Sequence, residues 1–144
     1  RSLFGPLAIN CMAPDDGNAL PLLDPAVLDR LRTELDDDDG VWKVFVQNFI
    51  EHLPLRTEKM RLTLTTGDLA GAMDAVLSLK TSSQMVGAER LAGLAMDLER
   101  SLREETVDAE PARVLPRLAA DRLREIIRCA RQTTHILQRC LHSA

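Results

Sequence analysis

Aromatic side chains are scarce in this chain. Phe4, Trp42, Phe45 and Phe49 are the only four among 144 residues, and tyrosine is absent. Histidine is nearly as rare: His52, His135 and His142 are all there is, so any histidine chemistry has three candidates. The three cysteines, Cys11, Cys129 and Cys140, are odd in number, widely spaced and contain no CxxC. That pattern argues against a disulfide scaffold or a structural zinc site and for a reducing, cytoplasmic setting. No apolar run approaches the roughly 18 residues of a membrane span. Residues 1–18 also lack a basic stretch followed by a long apolar one, so no signal peptide is read there.

What is present points to one helical domain. The chain is 45% hydrophobic and 28% charged, and its length suits a single core. The net charge of −4 is unevenly distributed, because residues 111–144 carry +5 and residues 1–110 carry −9. The seven C-terminal arginines come without stacking aromatics or glycine-rich loops. They read as the solvated side of a helix packed against an acidic body, not as a nucleic-acid surface.

Glycine and proline punctuate the rest. Asp24-Pro25 is a helix start, with Asp as N-cap and Pro at the first helical position, and a short helix is expected from Pro25 to Leu35. The acidic run Asp36–Asp39 before Gly40 resembles a calcium loop only briefly. With Gly40 at the sixth position, Leu35 and Val46 fall where acidic ligands are needed. Val41, Phe45, Phe49, Leu53, Met60 and Leu64 recur at helical spacing to Thr66, with Pro54 expected to kink this helix without ending it. Gly67 stops it, Asp68 caps the next helix to Val86, and Gly87 marks a turn. Further helices are expected over Glu89–Glu105 and Pro111–Leu141. Nothing alternates with period two, so the expected fold is all-α: an antiparallel four-helix bundle over residues 22–144. Pro25–Leu35 is accessory and residues 1–21 form an irregular lead.

The third helix of this reading carries the functional signal. Leu69, Ala72, Val76, Leu79, Ser83 and Val86 fall within a ~100° arc, the buried seam of a bundle helix. Leu77 points ~120° away from the centre of that seam, beside Met73, Lys80, Thr81 and Gln84. Two large apolar side chains thus stand on a shoulder that is ordinarily polar.

From Gly67 to Glu99 the sequence resembles the histidine phosphotransfer (HPt) domain family, whose pattern is roughly an Asp followed by AHxLKGSSxxxGAxxL and later LE. Here Asp68 is followed by Val76-Leu77-Ser78-Leu79-Lys80-Thr81-Ser82-Ser83, then Gly87-Ala88, Leu91 and Leu98-Glu99. The resemblance implies phosphorelay contact, but the family's phosphorylated histidine corresponds to Leu77, which has no nucleophilic nitrogen. The glycine one turn later corresponds to Thr81. Lys80 is retained, although its family role is to sit near the phosphoryl group. The resemblance therefore identifies a degenerate member, a pseudo-HPt module that binds a response-regulator receiver domain or a hybrid histidine kinase as competitor, sequestering factor or adaptor. It is not an enzyme by this reading, and neither cofactor nor metal is implied. The expected partner surface is Met73, Leu77, Lys80, Thr81 and Gln84 with Arg56 and Lys59, and more loosely Met60 and Thr63 of the preceding helix.

Two other readings stand beside it. In one, Met73 and Leu77 are covered by Leu3, Phe4, Leu7 or Ile9, or by a second copy of the chain in a homodimer, and the bundle is structural. In the other, phosphate is carried by His52, His135 or His142. None of these has the Lys-small-Ser neighbourhood of the motif, and the last two lie ~10.5 Å apart along one helix, too far to share a metal ion unaided. Cys129 and Cys140 are expected to fill core positions.

Overall fold

The structure is a computed structural model and describes residues 20–34 and 39–143. Five helices follow in order: α1 (Pro25–Glu34), α2 (Asp39–Thr65), α3 (Leu69–Met85), α4 (Glu89–Glu105) and α5 (Pro111–Ser143). Each start and stop has a local cause. Asp24 Oδ1 accepts from the Ala26 amide at 2.9 Å, and Asp68 Oδ1 accepts from the Gly71 amide at 3.0 Å, so both aspartates are side-chain N-caps. Gly67 and Gly87 hold positive φ (74° and 76°), which lets the chain reverse in the short links after α2 and after α3. The second reversal is clamped from outside, because Asp24 donates its amide to the Gly87 carbonyl and Glu89 donates to that of Leu22.

The reversals make α2 to α5 an up-down-up-down bundle. α3 packs between α2 and α4, α5 closes the ring against the same two helices, and α1 lies against α2. All described secondary structure is helical, as the absence of period-two patterning predicts. α2 runs unbroken through Pro54, whose ring removes one backbone donor, and the Thr57 hydroxyl bonds back to the Pro54 carbonyl at 3.0 Å. The core is aliphatic. Leu23, Leu53, Leu64, Leu79, Leu91, Leu98, Leu102, Leu115 and Leu137 are buried with Trp42 and Met60. Each such side chain contributes roughly 1.5–3 kcal/mol when taken fully from water.

Three expectations need correction or completion. Val41 was expected on the buried stripe of α2 but is 44% exposed, and its neighbour Trp42 is buried. α1 covers this end of α2, with the Arg32 guanidinium 6.0 Å from the Trp42 ring centroid, and that neighbour selects the face that turns inward. Cys129 is a free, buried thiol, whereas Cys140 is buried and also disulfide-bonded, a pairing that the odd count and wide spacing do not announce. Leu3, Phe4, Leu7 and Ile9, offered as a cover for Leu77, lie outside the described residues, as do most of the lead and Asp36 to Asp38 of the acidic run.

Candidate functional site

The shoulder of α3 is placed by its two neighbours. Ala72, Val76, Leu79, Ser83 and Val86 are buried, and Leu69 is half-buried beside them, so the expected seam faces the core. On one flank, Asp74 and Ser78 reach α2. Lys59 Nζ lies 3.3 Å from Asp74 Oδ2, and Arg56 Nε donates to Ser78 Oγ at 3.4 Å. On the other flank, Lys80 reaches α4, where its Nζ donates to Glu99 Oε1 at 2.9 Å. Leu77 therefore stands on the outward strip between two seams. It is half-buried, as is Met73, and both pack against the core cluster. Thr81 and Gln84 are exposed along the same strip.

The two flanks differ electrostatically. The Lys59–Asp74 pair is largely in water, 57% and 76% exposed, where an ion pair contributes little. The Lys80–Glu99 pair is more sheltered, at 24% and 15%. Glu99 is held twice, since its Oε2 also accepts from Arg103 NH2 at 2.9 Å and Nε at 3.2 Å. These hydrogen bonds, from Lys80 first and Arg103 second, keep the Glu99 carboxyl below its ordinary range against the opposing effect of desolvation. The retained lysine is thus tied to α4. Its ammonium is not directed at the centre of the strip.

The sequence reading missed this arrangement. Leu98-Glu99 is part of the motif, yet no role follows from it until α4 packs beside α3. Asp74 and Ser78, four residues apart on one helix face, carry a weaker signal of the same kind. Met60, loosely assigned to the partner surface, is fully buried and belongs to the core, because α2 turns that face inward. Thr63 is half-buried and its hydroxyl is turned back onto the Lys59 and Met60 carbonyls.

The histidines lie elsewhere. His52 is exposed on α2 and its Nδ1 donates to the Asn48 carbonyl one turn back, at 2.7 Å. His135 and His142 are exposed on α5. Among the described residues, no group of three or more His, Cys, Asp or Glu is placed to hold a metal ion. Nor is any helix there long and apolar enough to cross a membrane. The basic α5 packs onto α4 through ordinary polar contacts. Arg117 NH2 lies 2.9 Å from Glu105 Oε1, and Arg122 NH2 donates to Ser101 Oγ at 2.9 Å.

The described residues thus form an antiparallel helical bundle with a half-exposed apolar strip on one helix, bounded by basic side chains. The Hpt domain family model matches residues 44–133, well over half of the chain, and the chain belongs to that family. It is therefore a two-component phosphorelay signalling module. Among solved structures, the histidine-containing phosphotransfer protein B (HptB) from Pseudomonas aeruginosa PAO1 superposes with a TM-score of 0.71. The match covers 88% of this chain and 99% of that one at 21% identity, a likeness of fold. No curated relative matches the chain.

Proposed function

We propose that residues 22–144 form a pseudo-HPt module that docks a receiver domain or a histidine kinase through the α3 strip without accepting phosphate. The observation that carries this reading is Leu77. It stands in register with the phosphoacceptor of the family motif, on the outward strip of α3, with nothing but carbon in its side chain. Met73, Thr81 and Gln84 extend the strip, and Arg56 and Lys59 give it a basic margin toward an acidic partner. Lys80 borders it through its aliphatic stem, with the ammonium engaged by Glu99. Because Leu77 is already half-buried, docking would gain less than the roughly 1.5–3 kcal/mol of a full leucine, about 1 kcal/mol. The module would act as competitor, sequestering factor or adaptor.

The packing of Leu77 and Met73 against the core favours one other reading, a structural or self-associating bundle. Calorimetric titration with a panel of receiver domains and a histidine kinase separates the two. Leu77→Asp is expected to weaken docking about tenfold, the loss of roughly 1.4 kcal/mol from an apolar contact and charge burial. An unchanged affinity would remove the docking surface from α3. Incubation with a phosphorylated receiver is expected to leave the chain unlabelled. Acid-labile phosphate on His52, His135 or His142 would establish transfer by another route.

A further inference from the structure

A cavity of about 310 Å³ opens between α2 and the C-terminal half of α3, beside the Leu77 strip and sharing only Arg56 with its margin. Its apolar wall is Phe45 and Phe49 with Val86, and the half-exposed Met85 stands at its side. Asn48, His52, Arg56 and Ser82 supply the polar part. The α2 members recur at three- and four-residue intervals, so one helix face presents both the rings and the donors.

We propose that this cavity binds a small organic anion with an apolar body, such as an aryl or short alkyl carboxylate or phosphate. Three observations define that chemistry. First, among the described residues no carboxylate lines the cavity, and Glu51, the acid nearest in sequence, is engaged with Gln47 at 3.3 Å. The other clefts differ. The one between α2 and α5 places Glu58 with Arg131, and the one beside Leu20 places Asp97 and Glu125 among its arginines. Second, Arg56 has an unmet donor. Its Nε is held by Ser78, while its NH1 is buried without a hydrogen-bond partner. That nitrogen is closed to solvent as it stands, so an incoming carboxylate or phosphate, whose oxygens match the guanidinium fork, is met by Arg56 once its head group turns from Ser78 into the cavity. Third, the His52 ring, whose Nδ1 donates to the Asn48 carbonyl, adds no negative charge to the wall. The volume stands at the small end of ligand sites, room for one ring or a short chain plus its anionic head. A bound anion would draw Arg56 from Ser78 and so reach the flank of the α3 strip, but binding itself does not depend on partner docking.

The test is an amide-resonance titration of the whole chain with phenyl phosphate as probe, and with inorganic phosphate and benzyl alcohol as the anion and the ring alone. Saturable shifts at Asn48, His52, Arg56 and Ser82, at about millimolar concentration, are expected for phenyl phosphate. Binding of each half-probe is expected to be at least about tenfold weaker, the equivalent of losing one charged hydrogen bond or the buried ring. Arg56→Gln is expected to weaken phenyl phosphate about tenfold or more. Asn48→Asp, an exposed change that places a carboxylate on the rim, is expected to do the same with the fold intact. Shifts confined to other surfaces, benzyl alcohol binding as tightly as phenyl phosphate, or both variants binding as the parent would each overturn the proposal.

Discussion

The Lys80–Glu99–Arg103 cluster allows a prediction that ties the α3 motif to stability. Lys80→Met keeps the length and apolar stem of the side chain but removes the ammonium that donates 2.9 Å to Glu99 Oε1. Two reference values bracket the cost. An exposed ion pair contributes 0–1 kcal/mol, and a hydrogen bond to a charged group contributes about 1.5–3 kcal/mol. With the side chains 24% and 15% exposed, and Arg103 still able to hold Glu99, the expected loss is about 1 kcal/mol at pH 7. That corresponds to a melting temperature lower by roughly 4 °C for a domain of this size.

The sign of the pH dependence follows from Glu99. Its carboxyl titrates lower in the folded chain than in the unfolded one, so its contribution is fully present above the ordinary glutamate value, about 4.3. It is lost as pH falls through the depressed folded value. Urea unfolding followed by circular dichroism, in a cycle of Lys80→Met, Glu99→Gln and the double variant, reads the coupling directly. The expected coupling is about 1 kcal/mol at pH 7 and shrinks once pH falls well below 4. A coupling that is absent at pH 7, or that persists unchanged into acid, would refute the assignment.

Other outcomes follow from single sites. Ser83 is fully buried and its hydroxyl has no hydrogen-bond partner, so Ser83→Ala is expected to raise stability by about 1 kcal/mol in the same urea assay; a loss would reveal an unrecognised partner. Gly67 combines φ +74° with a position where an added Cβ would lie 2.8 Å from the Ala112 Cα, so Gly67→Ala is expected to cost about 2 kcal/mol or more, read as a lower melting temperature. Burial raises the Cys129 thiol above its ordinary value, with the Thr133 hydroxyl only partly offsetting it. Cys129 is therefore expected to resist iodoacetamide at pH 8 in the native chain and to react on unfolding, with the site identified by peptide mass mapping.

Much of this molecule is legible along the chain because its helices are short-range objects. The α3 seam is a case in point. Ala72, Val76, Leu79 and Ser83 are spaced for one face, Asp68 and Gly67 mark the boundary, and the structure buries that face and caps that end. The same logic misjudges Val41, since Val41 and Trp42 are adjacent apolar residues on different faces of α2 and the choice between them belongs to α1, which packs there. The spacing with Leu53 and Leu64 sets Met60 on the apolar stripe, and it is the family resemblance that places Met60 on the partner surface, where the structure does not put it.

The residue types and their order determined the all-α class, the four-helix count of the bundle and the family motif, including a leucine in the acceptor register. All of these depend on contacts within a few turns of one helix or on the identity of single residues. The tertiary structure decided the rest. Lys80 is tied to Glu99 across nineteen positions of sequence, Arg56 to Ser78 across twenty-two, and Leu77 is half-buried on the strip between those two seams. Pairings at that separation are set by how three helices align side by side, and the spacing within any one of them carries no record of that alignment.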